Sequence, residues 1–283
     1  MIASTWDDWF VTKELEAVEP KGLSVWYLGG NGFVLRSPDT TIYLDPYFGR
    51  GNPPTQIRMD PIPMNPADAT LCDAVLITHE HFDHMHPPSY RPLVEDLGAR
   101  VYAPKTAYET VGDERPPVER STAVAVGDTF AIGDVTVHVR EANDPDADEP
   151  VSYVFEHRSG TFFHGGDTRP SEAFEALGRE FDLDVGVLAF GSVGRRYYPD
   201  RDVVETRHVY MDENQVLEAA NALSLDRLVP THYNMWKGLD ADPKGLHEHA
   251  TSFAYPHVIE VMRVGDRIDL DRPGIVPLDC LGE

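Results

Sequence analysis

The stretch from Asp73 to His86 constrains this chain more than any other. It reads D-A-V-L-I-T-H-E-H-F-D-H-M-H. The apolar run Ala74 to Ile77 is short, branched and bounded by polar residues, which predicts a buried strand. The tract after it holds His79, His81, Asp83, His84 and His86 and predicts the loop leaving that strand. Imidazoles and carboxylates at such density have one economical purpose, a transition-metal site. In extended chain, side chains two apart point to the same side. His79 and His81 can therefore hold one metal together, while Asp83 and His84, past a bend, can face a second. An exposed, adventitious histidine tract would not follow a buried strand so directly.

Around this tract the chain reads as a mixed α/β protein. Residues 1–20 predict a helical lead-in, ended by Glu19-Pro20-Lys21-Gly22. Leu23 to Leu28, Gly32 to Leu35 and Thr41 to Leu44 predict three short strands. Gly29-Gly30-Asn31-Gly32 between the first two reads as a plain hairpin turn, since it opens no helix and lacks phosphate-loop spacing. Asp45 ends the third strand, either as a turn residue or as a support to a metal ligand. Residues 46–70 predict a long loop, of a length that often forms a lid or wall. Helices are expected at Ser89 to Leu97, Lys105 to Val111, Ser171 to Phe181, Asp212 to Leu223 and Pro243 to Phe253. Further strands are expected at Arg100 to Ala103, Ala123 to Val126, Thr129 to Ile132 and Val135 to Arg140. They continue at Val151 to Glu156, Thr161 to His164, Val185 to Phe190, Leu225 to Pro230 and Val258 to Val264. Residues 191–208 read as an irregular segment.

Three loop segments thus end three apolar strands: His79–His84, Gly165–Asp167 and His232. Sites in layered α/β folds assemble where such strand ends meet. A two-metal site needs added ligands of this kind, which gives Asp167 and His232 a purpose beyond turn and core. His164 either orients a ligand or sits in the core. His86, His138, His157, His208, His247, His249 and His257 have no special context and read as structural. Arg195 and Arg196, with Lys237, either bind an anionic substrate group or make ordinary salt bridges.

These residues resemble the metallo-β-lactamase superfamily, whose H-x-H-x-D-H signature stands here as His79-Glu80-His81-Phe82-Asp83-His84. Trp26-Tyr27-Leu28-Gly29, Val151-Ser152-Tyr153, His164-Gly165-Gly166-Asp167, Gly191-Ser192 and Pro230 to Trp236 are similar to its UlaG-like branch, the L-ascorbate-6-phosphate lactonases. The resemblance spans roughly residues 20–266. It implies a four-layer αββα sandwich and one domain over residues 1–283. It implies one metal held by His79, His81 and an acidic-loop residue matching Asp144, and a second held by Asp83, His84 and His232, with Asp167 bridging. A carboxylate at Asp144, where many members have histidine, favours Mn²⁺ over Zn²⁺; one or two ions per chain are expected. The activity implied is hydrolysis: a metal-bound hydroxide attacks a lactone or related ester, with Asp83 or Asp167 orienting the nucleophile and handling its proton. The alternatives are a phosphodiesterase or nuclease, iron-dependent oxygen chemistry at His79, His81 and Asp144, or a binding module that keeps its metals for structure or sensing.

Composition narrows the partners. A net charge of −24 repels nucleic acid and anionic membrane. No run of about 18 apolar residues predicts a membrane span, and the first residues lack the pattern of a signal peptide. Cys72 and Cys280 make no disulfide framework, so a reducing, cytoplasmic home is expected. The resemblance implies a small-molecule substrate, and copies of the chain can associate as a homo-oligomer. Basic residues are mostly Arg, with Lys only at 13, 21, 105, 237 and 244. Together with the acidity this reads as adaptation to salt. The hypothesis predicts a melting temperature that falls below about 0.5 M salt, where screening of self-repulsion weakens. A melting temperature indifferent to salt would remove it.

Overall fold

The computed structural model describes residues 2–191 and 193–278. Ser192 and Cys280 of the sequence reading lie outside the described residues. Two large sheets stack face to face. The first runs, in spatial order, Ile275–Val276, Arg267–Asp269, Ser24–Gly29, Gly32–Arg36, Thr41–Leu44, Ala74–Leu76, Arg100–Ala103 and Ser121–Ala123. The second runs Val258–Ile259, Arg227–Thr231, Val185–Ala189, Gly160–His164, Val151–His157, Val135–Glu141 and Thr129–Ile132. Each has an antiparallel part joined by tight turns and a parallel part joined by helical crossovers.

Strand alternation explains the layers. Val25, Tyr27, Leu35, Leu44 and Leu76 of the first sheet share one core with Val137, Val139, Tyr153, Phe155 and Val187 of the second. The alternate residues Trp26, Leu28, Val34, Tyr43 and Val75 point outward and are covered by Tyr90, Leu93 and Val94 of the helix Pro87–Glu95. On the other outer face, Val154, Phe163, Leu188 and Leu228 pack against Phe174, Val216, Leu217 and Ala220 from the helices Phe174–Glu180 and Glu213–Ala222. Central strands such as Ser24–Gly29 are therefore buried on both faces and read as unbroken apolar runs. The result is the four-layer αββα sandwich.

Several local expectations change. The strand expected at Ala123 to Val126 is Ser121–Ala123 instead, because the Ala125 amide donates to the Asp128 carboxylate (2.8 Å) and turns the chain early. The expected helix Pro243 to Phe253 shortens to a turn, Pro243–Gly245, and Leu246–Ala250. The expected strand Val258 to Val264 keeps only Val258–Ile259. The lead-in is helical only at Phe10–Leu15. Residues 191–208 are not irregular: Val193–Tyr198 and Val203–His208 form an antiparallel hairpin outside the two main sheets.

The loop 46–70 is pinned from within. Arg58 is buried, its Nε 2.7 Å from Asp60 Oδ1, while Nη2 donates to the carbonyls of Leu28 (3.0 Å) and Pro61 (2.9 Å) and Nη1 to that of Tyr47. The planar guanidinium thus ties distant parts of the loop to one another and to the first strand.

Candidate metal centre

Parallel strands all end on the same edge of their sheet, and both sheets present those ends together. Ala74–Leu76 leads to His79, Gly160–His164 to Asp167, and Arg227–Thr231 to His232. Two groups of side chains gather there. One donor atom from each of His79, His81, Asp144 and Asp167 lies within 4.8 Å of the others, as do those of Asp83, His84 and His232. Asp167 stands between them: Oδ2 is 3.4 Å from His84 Nε2 and 3.9 Å from His79 Nε2, and Oδ1 is 3.8 Å from His232 Nε2. Asp144 Oδ2 lies 3.7 Å from His79 Nε2 and 3.8 Å from His81 Nδ1. His86, His138, His157, His208, His247, His249 and His257 belong to neither group among the described residues.

Hydrogen bonds behind these groups fix which ring nitrogens face the pocket. Asp45, fully buried, accepts from the Thr78 amide on Oδ1 (2.8 Å) and from the Thr78 hydroxyl on Oδ2 (2.7 Å). His84 Nδ1 lies 2.8 Å from the same Oδ2, and a carboxylate can only accept, so Nδ1 donates. The Thr78 hydroxyl, its proton committed to Asp45, accepts from His79 Nδ1 (2.9 Å). His81 Nε2 donates to the Asp146 carbonyl (3.1 Å). The lone pairs of His79 Nε2 and His81 Nδ1 are thereby left for the pocket, and His84 turns Nε2 toward it, where without a cation Asp167, Asp45 and Asp83 favour a proton. Orientation of this kind by carboxylate and hydroxyl partners is how metal-binding imidazoles are set.

The residues present fit a cation. His79 Nε2 and His81 Nδ1 face each other at 2.8 Å, and two lone pairs at that separation repel unless a cation lies between or beside them. His84 Nε2 and Asp144 Oδ2 are buried without a hydrogen-bond partner among the described residues, a costly state for polar atoms. Burial and the neighbouring Asp167 push the Asp144 carboxyl up to about 6, and burial with the His84 charge pulls His79 down to about 3. Burial would raise Asp167 too, yet His84 and His232 hold it far below the usual carboxylate range. Nitrogen and carboxylate donors together suit Zn²⁺ or Mn²⁺.

Sequence reasoning left some of the supports open and missed others. Asp45, left between turn and support, is the anchor of His84 and, through Thr78, of His79. Asn31, read only as part of a hairpin turn, donates to Asp167 Oδ1 (2.5 Å) and accepts from the Thr231 hydroxyl (2.6 Å). His164 is buried outside both groups, and its Nε2 donates to the Asn31 carbonyl (2.9 Å). Tyr210, not singled out before, puts its hydroxyl 3.2 Å from His232 Nε2. His232 itself has φ of 66°, in the left-handed region that non-glycine residues rarely adopt.

A cavity of about 300 Å³ opens on the centre, lined by His81, Asp83, Asp144 and Asp167 on one side and by Phe82, Trp236, Val209 and Leu239 as an apolar wall. Of the three basic residues expected near substrate, only Arg196 lines it; Arg195 and Lys237 do not. The ordinary salt bridges weighed for them are also absent, since none of the three makes an ion pair among the described residues. Arg207, which sequence reasoning passed over, lines the cavity beside Arg196.

Comparison with known proteins gives a consistent answer. A family profile described as a beta-lactamase superfamily domain matches residues 40–233. A metal-dependent hydrolase of the UPF0173 group from Myxococcus xanthus (strain DK1622) is 30% identical, over 83% of this chain and 79% of its own. A probable L-ascorbate-6-phosphate lactonase UlaG from Escherichia coli (strain SMS-3-5 / SECEC) is 26% identical, over 87% of this chain and 80% of its own. Among solved structures, Igni18, a metallo hydrolase from the hyperthermophilic archaeon Ignicoccus hospitalis, superposes with a TM-score of 0.65 at 19% identity, covering 87% of this chain and 97% of that one. Among the described residues no helix is long and apolar enough to cross a membrane.

Proposed function

The chain belongs to the beta-lactamase superfamily and is a metal-dependent hydrolase of that fold, and from that premise we propose that it hydrolyses a lactone or related ester of a small molecule. The observation that carries the proposal is the facing pair His79 Nε2 and His81 Nδ1, with Asp167 between that pair and the group of Asp83, His84 and His232. In this reading His79, His81 and Asp144 hold one divalent ion, Asp83, His84 and His232 hold another, and Asp167 serves both. The carboxylate-rich donor set favours Mn²⁺ over Zn²⁺. When bound, such ions supply Lewis acidity, bringing the pKa of a water toward neutral and polarising the oxygen of an ester.

The chain's own residues do the rest. Asp83 or Asp167 orients the attacking water and takes its proton on a carboxylate oxygen. Asn31 keeps Asp167 from turning by holding Oδ1. Phe82 and Trp236, 5.7 Å apart between ring centres, keep bulk water off one side of the cavity. The name of the lactonase relative supports the choice of a lactone, and the net charge of −24 argues for a small molecule over nucleic acid. We place the chain in the cytoplasm, acting as a single domain.

Protein loaded with Mn²⁺ or Zn²⁺ and offered a panel of lactones, aryl esters and an aryl phosphodiester tests this. Turnover of the lactones above the phosphodiester is expected. Phosphodiester cleavage alone, or oxygen consumption by the iron-loaded chain without hydrolysis, contradicts the proposal.

A further inference from the structure

We propose that Arg196 and Arg207 form a seat for an oxyanion, a phosphate or carboxylate carried by the substrate, in the cavity that opens on the metal centre. The proposal rests on the ester-hydrolase reading and names its substrate class. Both residues line the same cavity as His81, Asp83, Asp144 and Asp167. They come from the two strands of the hairpin Val193–Tyr198 and Val203–His208, where Gly194 pairs with Arg207 and Arg196 with Glu205. Residues opposite or two apart on paired strands share a face, so the two guanidinium groups stand as diagonal neighbours.

Their surroundings hold them there. The Arg196 and Arg207 guanidinium carbons lie 5.4 Å and 5.9 Å from the centre of the Tyr198 ring, an aromatic platform that favours cations. Glu205, the nearest acid by register, is engaged elsewhere, at 3.1 Å from Arg201. Neither the Arg196 nor the Arg207 guanidinium has an ion-pair or hydrogen-bond partner among the described residues. In a chain with 48 acidic and 24 basic residues, two adjacent cations without a counter-ion are unexpected on composition alone. The planar fork of each guanidinium matches the two oxygens of a carboxylate or phosphate.

A matched pair of lactones, one bearing a phosphomonoester and one the free hydroxyl, separates this role from general charge balance. In the metal-loaded Arg196→Ala/Arg207→Ala protein, KM for the phosphorylated lactone should rise about 100-fold, with kcat changed by less than about threefold. KM for the neutral lactone should stay in place. Arg179→Ala, which removes one exposed positive charge from an outer helix, should alter neither. Titration calorimetry with inorganic phosphate and with acetate should show binding to the wild type that weakens in the double variant, and the tighter of the two names the group. Equal loss on both lactones, or unchanged affinity for both anions, overturns the seat. Should the wild type turn over neither lactone, the ester reading fails, and the titration still decides the seat by itself.

Discussion

Asp167→Ala lowers kcat by at least about a thousandfold and leaves the fold in place. That factor corresponds to about 4 kcal/mol of transition-state stabilisation, within the several kcal/mol that metal centres contribute. The reason is position. Among the described residues Asp167 is the one carboxylate within 4 Å of imidazoles from both groups, His79 and His84 through Oδ2 and His232 through Oδ1. Truncation removes a ligand from both proposed ions and frees Asn31 Nδ2, which now holds Oδ1. The backbone should tolerate the change, because Asp167 sits in the turn after Gly160–His164 and its carboxylate supports no core contact. His79→Ala should behave alike. Circular dichroism with turnover under saturating metal checks both, and full activity in either variant refutes the assignment.

Asp45→Asn weakens metal binding by roughly 10- to 100-fold although it changes almost no volume. The Asn carbonyl oxygen can keep the Thr78 amide, but its NH2 then stands where Oδ2 accepts from the Thr78 hydroxyl and from His84 Nδ1. An NH2 there must donate to Nδ1. His84 then carries its proton on Nε2, the atom that faces Asp83 and Asp167, and that nitrogen can no longer ligate. Asp45→Ala should cost folding stability as well, by about 3 kcal/mol, since it leaves buried donors on Thr78 and His84 unmet. Metal per chain after dialysis reads the first effect and the melting temperature of the metal-free protein reads the second. Wild-type metal retention in Asp45→Asn contradicts the support role.

The parts that were legible in the sequence follow from patterns that one stretch carries alone. Ala74 to Ile77 is buried on both faces, so it is apolar throughout, and the imidazoles and carboxylates that follow it are dense enough to point to a metal centre. Strand ends at His164 and Thr231 could be placed because their strands are equally apolar. What escaped depends on partners far away in the chain. Asn31 and Asp167 are 136 residues apart, and nothing local distinguishes an Asn that holds a carboxylate from one that makes a turn. Asp45 and His84 are 39 apart, with the same ambiguity. The strand Arg267–Asp269 is two-thirds charged, and exists because it pairs with Ser24 to Trp26 and because Arg267 meets Glu14 at 2.7 Å. The hairpin carrying Arg196 and Arg207 belongs to neither main sheet and is largely exposed, so its residues show little of the apolar alternation that marks a core strand, and Arg207 went unnoticed for that reason.

Metal analysis of the protein purified without added metal, beside the His79→Ala and His84→Ala variants, tests the central claim most directly. The account predicts one to two equivalents of manganese or zinc per wild-type chain and a loss in each variant, from one group or the other. A wild-type chain that retains no divalent ion even after incubation with Mn²⁺ and Zn²⁺, or variants that hold as much as the wild type, would contradict it.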